Sequence, residues 1–270
     1  MTRVCTSLHW FKAKLEDVDP SHQASPIEVE VLATYEQLAS LIDFPLLAPA
    51  FSEEQISAGC DLARKYQVGS ITVRPSEAQL AVQWMSGSGV TVASVAGFPH
   101  GNETTPVKLF AVRDLLARGV TEIETCLNAG KMISRQFHYV ETEIMQLAEE
   151  CHKAGARLRV TVENQWLALD TKVIGYKILK RAGADSVRAA GVFGPAPYNM
   201  EDLALMKQKF GDHVKLDAGR GAKTLDDVKM LHAAGCARLV LIQPGPVLDA
   251  WKAELAERAR LAAHTENSGN

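Results

Sequence analysis

Three kinds of sequence signal are missing from this 270-residue chain, and each absence narrows what the protein can be. It has no long apolar run, so we expect neither a signal peptide nor a membrane span. It has no basic excess, because the net charge is -3, and nucleic acid is therefore not an expected partner. Its cysteines are odd in number and lack C-x-x-C spacing, which predicts a reduced, cytoplasmic protein; they are Cys5, Cys60, Cys126, Cys151 and Cys236.

One supersecondary unit recurs along the chain. In each copy a helix end with basic or small residues is followed by a glycine and then by a strand-like segment, and the glycines are Gly119, Gly155, Gly183 and Gly235. Glycine adopts the left-handed conformation that closes a helix, and a cation suits the negative end of the helix. With 47% hydrophobic residues, the chain can also bury a full core.

The starts of several helices are visible as well. Ser52 and Ser76 each begin a capping-box pattern, Pro106 falls at a first helical position, and Thr224 precedes two acids. Strands are predicted near 39–45, 69–74, 91–97, 122–127, 157–163, 186–190, 214–218 and 238–242.

Eight strands that alternate with helices predict an α/β fold, the (β/α)8 TIM barrel. An open doubly wound sheet would need a glycine-rich turn after the first strand, and Pro45-Leu-Leu-Ala-Pro49 provides none. We expect one barrel domain over 38–262, an N-terminal extension over 1–37 and a flexible tail over 263–270.

Five segments carry a family resemblance by their order and spacing. They are Leu41-Ile-Asp-Phe-Pro-Leu-Leu-Ala-Pro49, Gly97-Phe-Pro-His-Gly101, Thr104-Thr-Pro-Val-Lys108, Thr121-Glu-Ile-Glu-Thr-Cys-Leu-Asn128 and Gly219-Arg-Gly-Ala-Lys-Thr-Leu-Asp-Asp227. From about Leu38 to Leu248, the chain resembles the 2-deoxyribose-5-phosphate aldolase family. The resemblance implies a TIM-barrel lyase of carbohydrate metabolism.

That family forms a Schiff base on a strand lysine, assisted by a second lysine and an aspartate. The resemblance implies that three strand lysines of the family fall at Arg159, Arg188 and Asp217, and that its aspartate falls at Glu124. Arginine stays protonated and cannot form an imine. We therefore expect the lysine-dependent mechanism to be absent.

The candidate site combines these positions with charged residues at other strand ends. The expected catalytic residues are Asp43, Glu124, Arg159, Arg188 and Asp217, and the expected substrate-binding residues are Arg74, His100, Asn128, Glu163, Gly194, Gly219 and Arg220. Carboxylates in this set raise the alternative of a divalent metal, but the neighbouring arginines would repel it, so neither a metal nor a cofactor is expected.

Two interpretations of this constellation remain open. In the first, arginines clamp the substrate and carboxylates move protons, which predicts a divergent lyase or isomerase of a small anionic sugar-like or keto-acid compound. In the second, pairs such as Glu124 with Arg159 and Arg188 with Asp217 fill a closed cavity. The chain would then be a catalytically inactive paralogue that binds a metabolite or a protein. The expected partners are a small anionic or phosphorylated metabolite and further copies of the chain in a homodimer or higher homo-oligomer.

Overall fold

The structure, a computed structural model, describes residues 31–268. Within this range the strands are β1 (Ile42–Leu46), β2 (Ser70–Val73), β3 (Thr91–Ala96), β4 (Glu122–Cys126), β5 (Arg157–Thr161), β6 (Ser186–Arg188), β7 (Lys215–Asp217) and β8 (Leu239–Val240). The α-helices of the same range are α1 (Tyr35–Ala39), α2 (Glu53–Tyr66), α3 (Ala78–Trp84), α4 (Thr105–Ala117), α5 (Ala129–Ile133), α6 (Phe137–Lys153), α7 (Leu169–Arg181), α8 (Met200–Phe210), α9 (Leu225–Ala233) and α10 (Pro244–Ser268). Short 3-10 turns cover Pro75–Glu77 and Asn164–Trp166.

The strands form one parallel sheet that closes on itself. Hydrogen-bonded neighbours follow the order β7-β6-β5-β4-β3-β2-β1-β8. Asp217 of β7 and Arg238, directly before β8, form a parallel bridge between the two ends. The N–H of Val240 donates to the carbonyl of Gly219 at 3.0 Å across the same seam. The prediction of a TIM barrel is therefore confirmed, although several strands are shorter than predicted.

The recurring glycines close helices as predicted. Gly119, Gly155, Gly183 and Gly235 all have positive φ, between 71° and 89°. Each follows a helix and precedes a strand, so a side chain at these positions would be strained. The turn that repeats in the sequence is therefore the connection between the end of a helix and the start of the next strand, at the N-terminal end of the barrel.

The predicted helix starts have mixed outcomes. Capping boxes are present at Ser52 and at Thr224, where the side chain accepts the backbone N–H three residues on. The capping box predicted at Ser76 is wrong, because its hydroxyl donates to Glu77 at 2.8 Å and α3 begins only at Ala78 without a side-chain cap. Pro106 occupies the second position of α4, one residue later than predicted.

Side chains along each strand alternate between the barrel interior and its outer surface. The outer set is apolar, and Ile71, Ile123, Leu158 and Val187 are completely buried between strands and helices. The register of strand pairing places the inward-facing side chains in layers. Each layer contains four side chains, one from each of four alternate strands.

Above the lowest inner layer, three successive layers carry charges. From the N-terminal end upward they are Ser70, Glu122, Ser186 and Arg238; then Asp43, Ala93, Arg159 and Asp217; then Thr72, Glu124, Arg188 and Val240. The interior of such a barrel is usually filled by bulky branched residues. Here it is ionic, and the apolar core lies outside the strands.

A second buried ion pair joins two outer helices. Lys108 of α4 is fully buried, and its Nζ lies 2.7 Å from Oε1 of Glu143 in α6. The same Nζ donates to the carbonyl of Gly101 at 2.7 Å, which ties the loop after β3 to these helices. Both charges are thus paired and hydrogen-bonded, as a buried charge requires.

The first described residues pack on the last helix. Trp251 of α10 is completely buried, and its Nε1 donates to the carbonyl of Thr34 at 2.9 Å. Residues 1–30 of the predicted extension lie outside the described residues. The predicted tail begins within α10, which continues to Ser268.

Candidate functional site

Asp43 lies on β1 inside the barrel, with no exposure to solvent. Its carboxylate accepts hydrogen bonds from the Ser70 and Thr72 hydroxyls at 2.7 and 2.9 Å, and from Nη1 of Arg159 at 2.9 Å. It also contacts the guanidinium of Arg188. Burial opposes ionisation of Asp43, but the two guanidinium groups outweigh it and lower the pKa well below its usual value. Asp43 is therefore a permanent anion.

Arg188 is at the centre of the ionic cluster, the group of buried charges around Asp43, Glu124, Arg159 and Asp217. Its Nη1 lies 2.7 Å from Oε2 of Glu124, and its Nε and Nη2 lie 3.0 and 2.9 Å from Oδ2 of Asp217. The contact with Asp43 completes the set. Burial alone would lower the pKa of Arg188, but the three carboxylates raise it well above its usual value. The side chain stays charged.

Arg159 connects the upper and lower charged layers. Besides Asp43, its Nη1 lies 3.4 Å from Oε2 of Glu124, and its Nε lies 3.6 Å from Oδ2 of Asp217. Its Nη2 contacts Glu122 in the layer below. Burial, followed by repulsion from Arg188, lowers the pKa of Arg159 to about 10. It remains protonated at neutral pH.

Glu124 is the group whose charge changes most easily. Burial, with Asp43 and Asp217 nearby, raises its pKa to about 7, although Arg188 and the Thr161 hydroxyl favour the ionised form. The Thr161 hydroxyl donates to its Oε1 at 2.7 Å. A carboxyl group with this pKa has the proton affinity that acid–base chemistry near neutrality requires.

The five expected catalytic residues therefore converge, but they are enclosed. Every one of them has 0% exposure. The next layer toward the C-terminal end consists of Pro45, Val95, Thr161 and Gly219. Both pairs predicted for a closed cavity are present, since Glu124 contacts Arg159 and Arg188 contacts Asp217.

Two of the expected substrate-binding residues have other surroundings. Arg74 donates to Glu77 through Nε and Nη2, and to the carbonyls of Ala48, Pro49 and Phe51, so its donors are engaged by the loops after β1 and β2. His100 is exposed, and its ring centroid lies 6.3 Å from that of Trp166. Neither side chain contacts the buried cluster.

Asn128 and Glu163 organise loops at the C-terminal strand ends. Asn128 is the N-cap of α5 and accepts the N–H of Lys131 at 3.1 Å. Glu163 has a φ of 53°, and its Oε1 accepts the N–H of Gly191 at 2.9 Å. Burial raises the pKa of Glu163 above its usual value.

The glycines expected to bind an anion are engaged within the protein. The N–H of Gly219 donates to Oδ1 of Asp217 at 2.8 Å, and that of Gly194 to the carbonyl of Gly191 at 3.3 Å. Arg220 donates to the carbonyl of Gly194 at 2.8 Å. A Cβ on Gly194 would meet Glu163 at 2.1 Å, so the loop packs directly on that carboxylate.

Several residues of the cluster escaped the sequence analysis. Glu122, Ser70 and Thr72 contact the predicted residues directly. Arg238 joins them through Ser70, whose hydroxyl lies 2.5 Å from its Nη1, and through Glu122 at 3.7 Å. The alternation of polar and apolar residues, as in Ser70-Ile-Thr-Val73, was the signal that they face inward. Among the described strands, Lys215 is the only lysine, and it is exposed at the N-terminal end of β7.

Within residues 31–268, no group of three or more His, Cys, Asp or Glu side chains is arranged to hold a metal ion. The carboxylates that raised this alternative, including Asp43, Glu124 and Asp217, are bonded to arginines instead. None of the helices in the described range has the length and apolar character needed to cross a membrane.

A cavity of about 580 Å³ lies at the C-terminal ends of the strands, and we call it the C-terminal cavity. Its lining includes Leu47, Arg74, Val95, Phe98, Val107 and Phe193. The rings of Phe98, after β3, and Phe193, after β6, lie 5.8 Å apart between centroids. Val95 separates this cavity from the ionic cluster, since it belongs to the layer directly above the one that contains Glu124 and Arg188.

The chain is similar to deoxyribose-phosphate aldolases of known sequence. It is 34% identical over 225 residues to that of Bacteroides thetaiotaomicron, which covers 83% of this chain and 94% of the relative. It is 31% identical over 202 residues to that of Bacillus cytotoxicus, which covers 75% and 90%. No family model matches the chain.

Among solved structures, the tetrameric deoxyribose phosphate aldolase from Aeropyrum pernix superimposes with a TM-score of 0.73 at 25% identity. The match covers 82% of this chain and 93% of that one. The resemblance inferred from the five sequence segments is thus confirmed over most of the barrel. This protein belongs to the deoxyribose-phosphate aldolase family.

Proposed function

We propose that this chain is a family member that forms no imine and that binds a small organic molecule non-covalently in the C-terminal cavity. The observation that carries the proposal is the closed interior. Asp43, Glu124, Arg159, Arg188 and Asp217 are completely buried and bonded to one another. In this arrangement none of these five charged side chains is free to hold a substrate.

The absence of a suitable amine supports the same proposal. An imine requires an amine that can lose its proton, and a guanidinium does not do so at neutral pH. Lys215 is exposed at the opposite end of the barrel from the C-terminal cavity. Among the described residues, Lys108 does line the cavity, but its Nζ is held by Glu143 and by the carbonyl of Gly101, so it is not a free amine for an aldehyde.

The character of the cavity indicates the kind of ligand. Its walls are mostly apolar, and the donors of Arg74 are already engaged by Glu77 and by backbone carbonyls. Phe98 and Phe193 offer ring faces and edges to a ligand. We therefore propose that the ligand presents apolar surface here. By extension from the tetrameric Aeropyrum pernix protein, we also propose that the chain forms a homo-oligomer.

The covalent part is tested by borohydride reduction with acetaldehyde or with deoxyribose 5-phosphate. We expect an unchanged protein mass and no cleavage of the sugar phosphate. A stoichiometric adduct on any lysine would refute the absence of imine chemistry.

The binding part is tested with the fluorescent probe anilinonaphthalene sulfonate, an amphiphilic anion whose aromatic rings bind apolar surface. We expect Phe193→Ala to weaken its binding severalfold, because the ring forms part of the cavity wall. The matched control is Ile133→Ala, which removes an exposed apolar side chain of α5 instead. Equal effects of the two variants would refute the assignment of the cavity.

A second function, acid–base catalysis by a lyase or isomerase, is favoured by one observation. Glu124 has a pKa raised to about 7 and lies between two arginines that would stabilise an enolate. This function requires the layer above Glu124 to open. Exchange of the methyl protons of pyruvate in D2O, followed by NMR, tests it. Exchange that is lost in Glu124→Gln would favour this function over the non-covalent binding module.

A further inference from the structure

The N-terminal end of the barrel has a charge pattern that the proposed function does not use. The two lowest inner layers contain Leu41, Thr91, Arg157 and Lys215, and above them Ser70, Glu122, Ser186 and Arg238. Arg157, Lys215 and Arg238 come from β5, β7 and the start of β8, and all three lie at interior positions of the closed sheet. Three cations are therefore gathered around one end of the barrel axis.

Glu122 is the single carboxylate of these two layers, and it contacts two of the three cations. Glu122 lies 3.2 Å from Nη2 of Arg157 and 3.7 Å from Nη1 of Arg238, and it also contacts the buried Arg159. Its charge is thus divided among three guanidinium groups. Lys215 has no ion pair within residues 31–268. The end of the barrel consequently carries a local excess of positive charge.

The cations are accessible to solvent, whereas the carboxylate is not. The side chain of Arg157 is 46% exposed and that of Arg238 is 21% exposed, but that of Glu122 is only 5% exposed. Lys215 is also exposed. A ligand that approaches along the barrel axis would meet positive groups first. Ser186, partly exposed in the same region, adds a hydroxyl donor.

Within residues 31–268, the acids of the loops at this end of the barrel do not neutralise the charge. Asp185 accepts the N–H of Leu158 at 2.7 Å and pairs with His152 at 2.9 Å. Asp212 pairs with Lys207 at 3.0 Å. These carboxylates are engaged by groups of their own, so within residues 31–268 Arg157 and Arg238 share only the charge of Glu122.

We propose that Arg157, Lys215 and Arg238 form a binding site for a compact multivalent oxyanion, such as a phosphate group, at the N-terminal end of the barrel. Guanidinium groups bind such oxygens in pairs, and the ammonium of Lys215 adds a point charge. The site lies on the opposite face from the C-terminal cavity, so it stands independently of the function proposed above.

Calorimetric titration with inorganic phosphate and pyrophosphate tests this site, with acetate as the monovalent comparison. We expect pyrophosphate to bind more tightly than phosphate, acetate to bind least, and added salt to weaken all three. Lys215→Ala should weaken pyrophosphate binding about tenfold, which corresponds to about 1.4 kcal/mol. Because Lys215 has no ion pair in the described range, its loss should leave the melting temperature without ligand unchanged.

The matched control is Lys223→Ala, which removes the same charge from an exposed position after β7, at the other end of that strand. It should bind pyrophosphate as the parent does. Arg157→Gln is the second variant and should also weaken binding, which keeps the test independent of any one side chain. The proposal is overturned if pyrophosphate does not bind at millimolar concentration, or if the Lys223 variant loses as much affinity as the Lys215 variant.

Discussion

Replacing Arg188 by methionine removes one guanidinium from the middle of the barrel. The carboxylates around it then lose one of the cations that neutralise their charge. Arg188 lies 2.7 Å from Glu124 and 2.9 Å from Asp217, and it also contacts Asp43. All of these groups have 0% exposure. Water cannot replace the lost donors unless the barrel opens, so the unpaired charges bear the full cost of burial.

The size of the loss in stability depends on the contacts that the three carboxylates keep in the variant. Arg159 stays 2.9 Å from Asp43 and 3.4 Å from Glu124, so these two carboxylates keep a cation. Asp217 keeps only a 3.6 Å contact with Arg159 and the N–H of Gly219. Removing one partner of a buried ion pair costs about 3–5 kcal/mol. We therefore expect a loss of about 4 kcal/mol in the free energy of unfolding, or about 10 °C in Tm for a chain of this size.

The effect should depend on pH through Glu124. Its pKa in the folded protein is about 7, above the ordinary 4.5, so the folded state binds more protons than the unfolded state between these values. That contribution favours folding at low pH and is lost as the pH rises through 7. Loss of Arg188 raises the folded pKa further, because an attractive cation disappears. Arg188→Met should therefore cost less stability near about pH 5 than near about pH 8.

Urea unfolding followed by tryptophan fluorescence at both pH values measures this effect. The control is Arg113→Met, which removes a guanidinium with 60% exposure that pairs with Glu150 on the surface. It should cost less than about 1 kcal/mol. The reasoning is refuted if Arg188→Met costs as little as the control, or if its cost grows toward low pH. If phosphate or a small carboxylate raised the Tm of the parent but not of the variant, Arg188 would be a ligand clamp instead.

Three further predictions concern other parts of the fold. Glu124→Gln should make the free energy of unfolding less dependent on pH. As the pH rises from 4.5 to 7, the parent should lose about 3 kcal/mol more of this free energy than the variant, as measured by urea unfolding. Lys108→Met should cost about 3–5 kcal/mol because it leaves Glu143 buried and unpaired, and adding Glu143→Leu should recover much of the loss in thermal melts. Gly219→Ala should lower Tm strongly, since φ is 78° and the new Cβ would lie 1.8 Å from the carbonyl oxygen of Ala190; an unchanged Tm would contradict the close approach of these loops.

Local sequence signals determined much of the architecture. Gly119, Gly155, Gly183 and Gly235 mark the points where helices end, because the left-handed conformation belongs to the glycine itself. The capping boxes at Ser52 and Thr224 depend on residues three apart in the chain, so they could also be predicted. At Ser76 the same pattern failed, because Pro75 begins a 3-10 turn and the hydroxyl is engaged by Glu77.

The resemblance and the strand positions also brought Asp43, Glu124, Arg159, Arg188 and Asp217 into one candidate site. Closure of the barrel places all five within one network, as expected for interior positions of neighbouring strands. The identity of these residues is thus a property of the sequence. Their burial is not, because the same alternation of polar and apolar residues fits an open mouth or a filled interior.

Only the tertiary structure decided which charges meet and how deeply they lie. Glu122 and Arg238 are 116 residues apart in the chain, yet both belong to one interior layer because each strand is staggered against the next around the barrel. The stagger between neighbouring strands adds up over the eight strand pairings of the closed barrel, so it cannot be predicted from any one strand. The same closure raises the pKa of Glu124 to about 7, because burial and neighbouring carboxylates act only once the chain has folded.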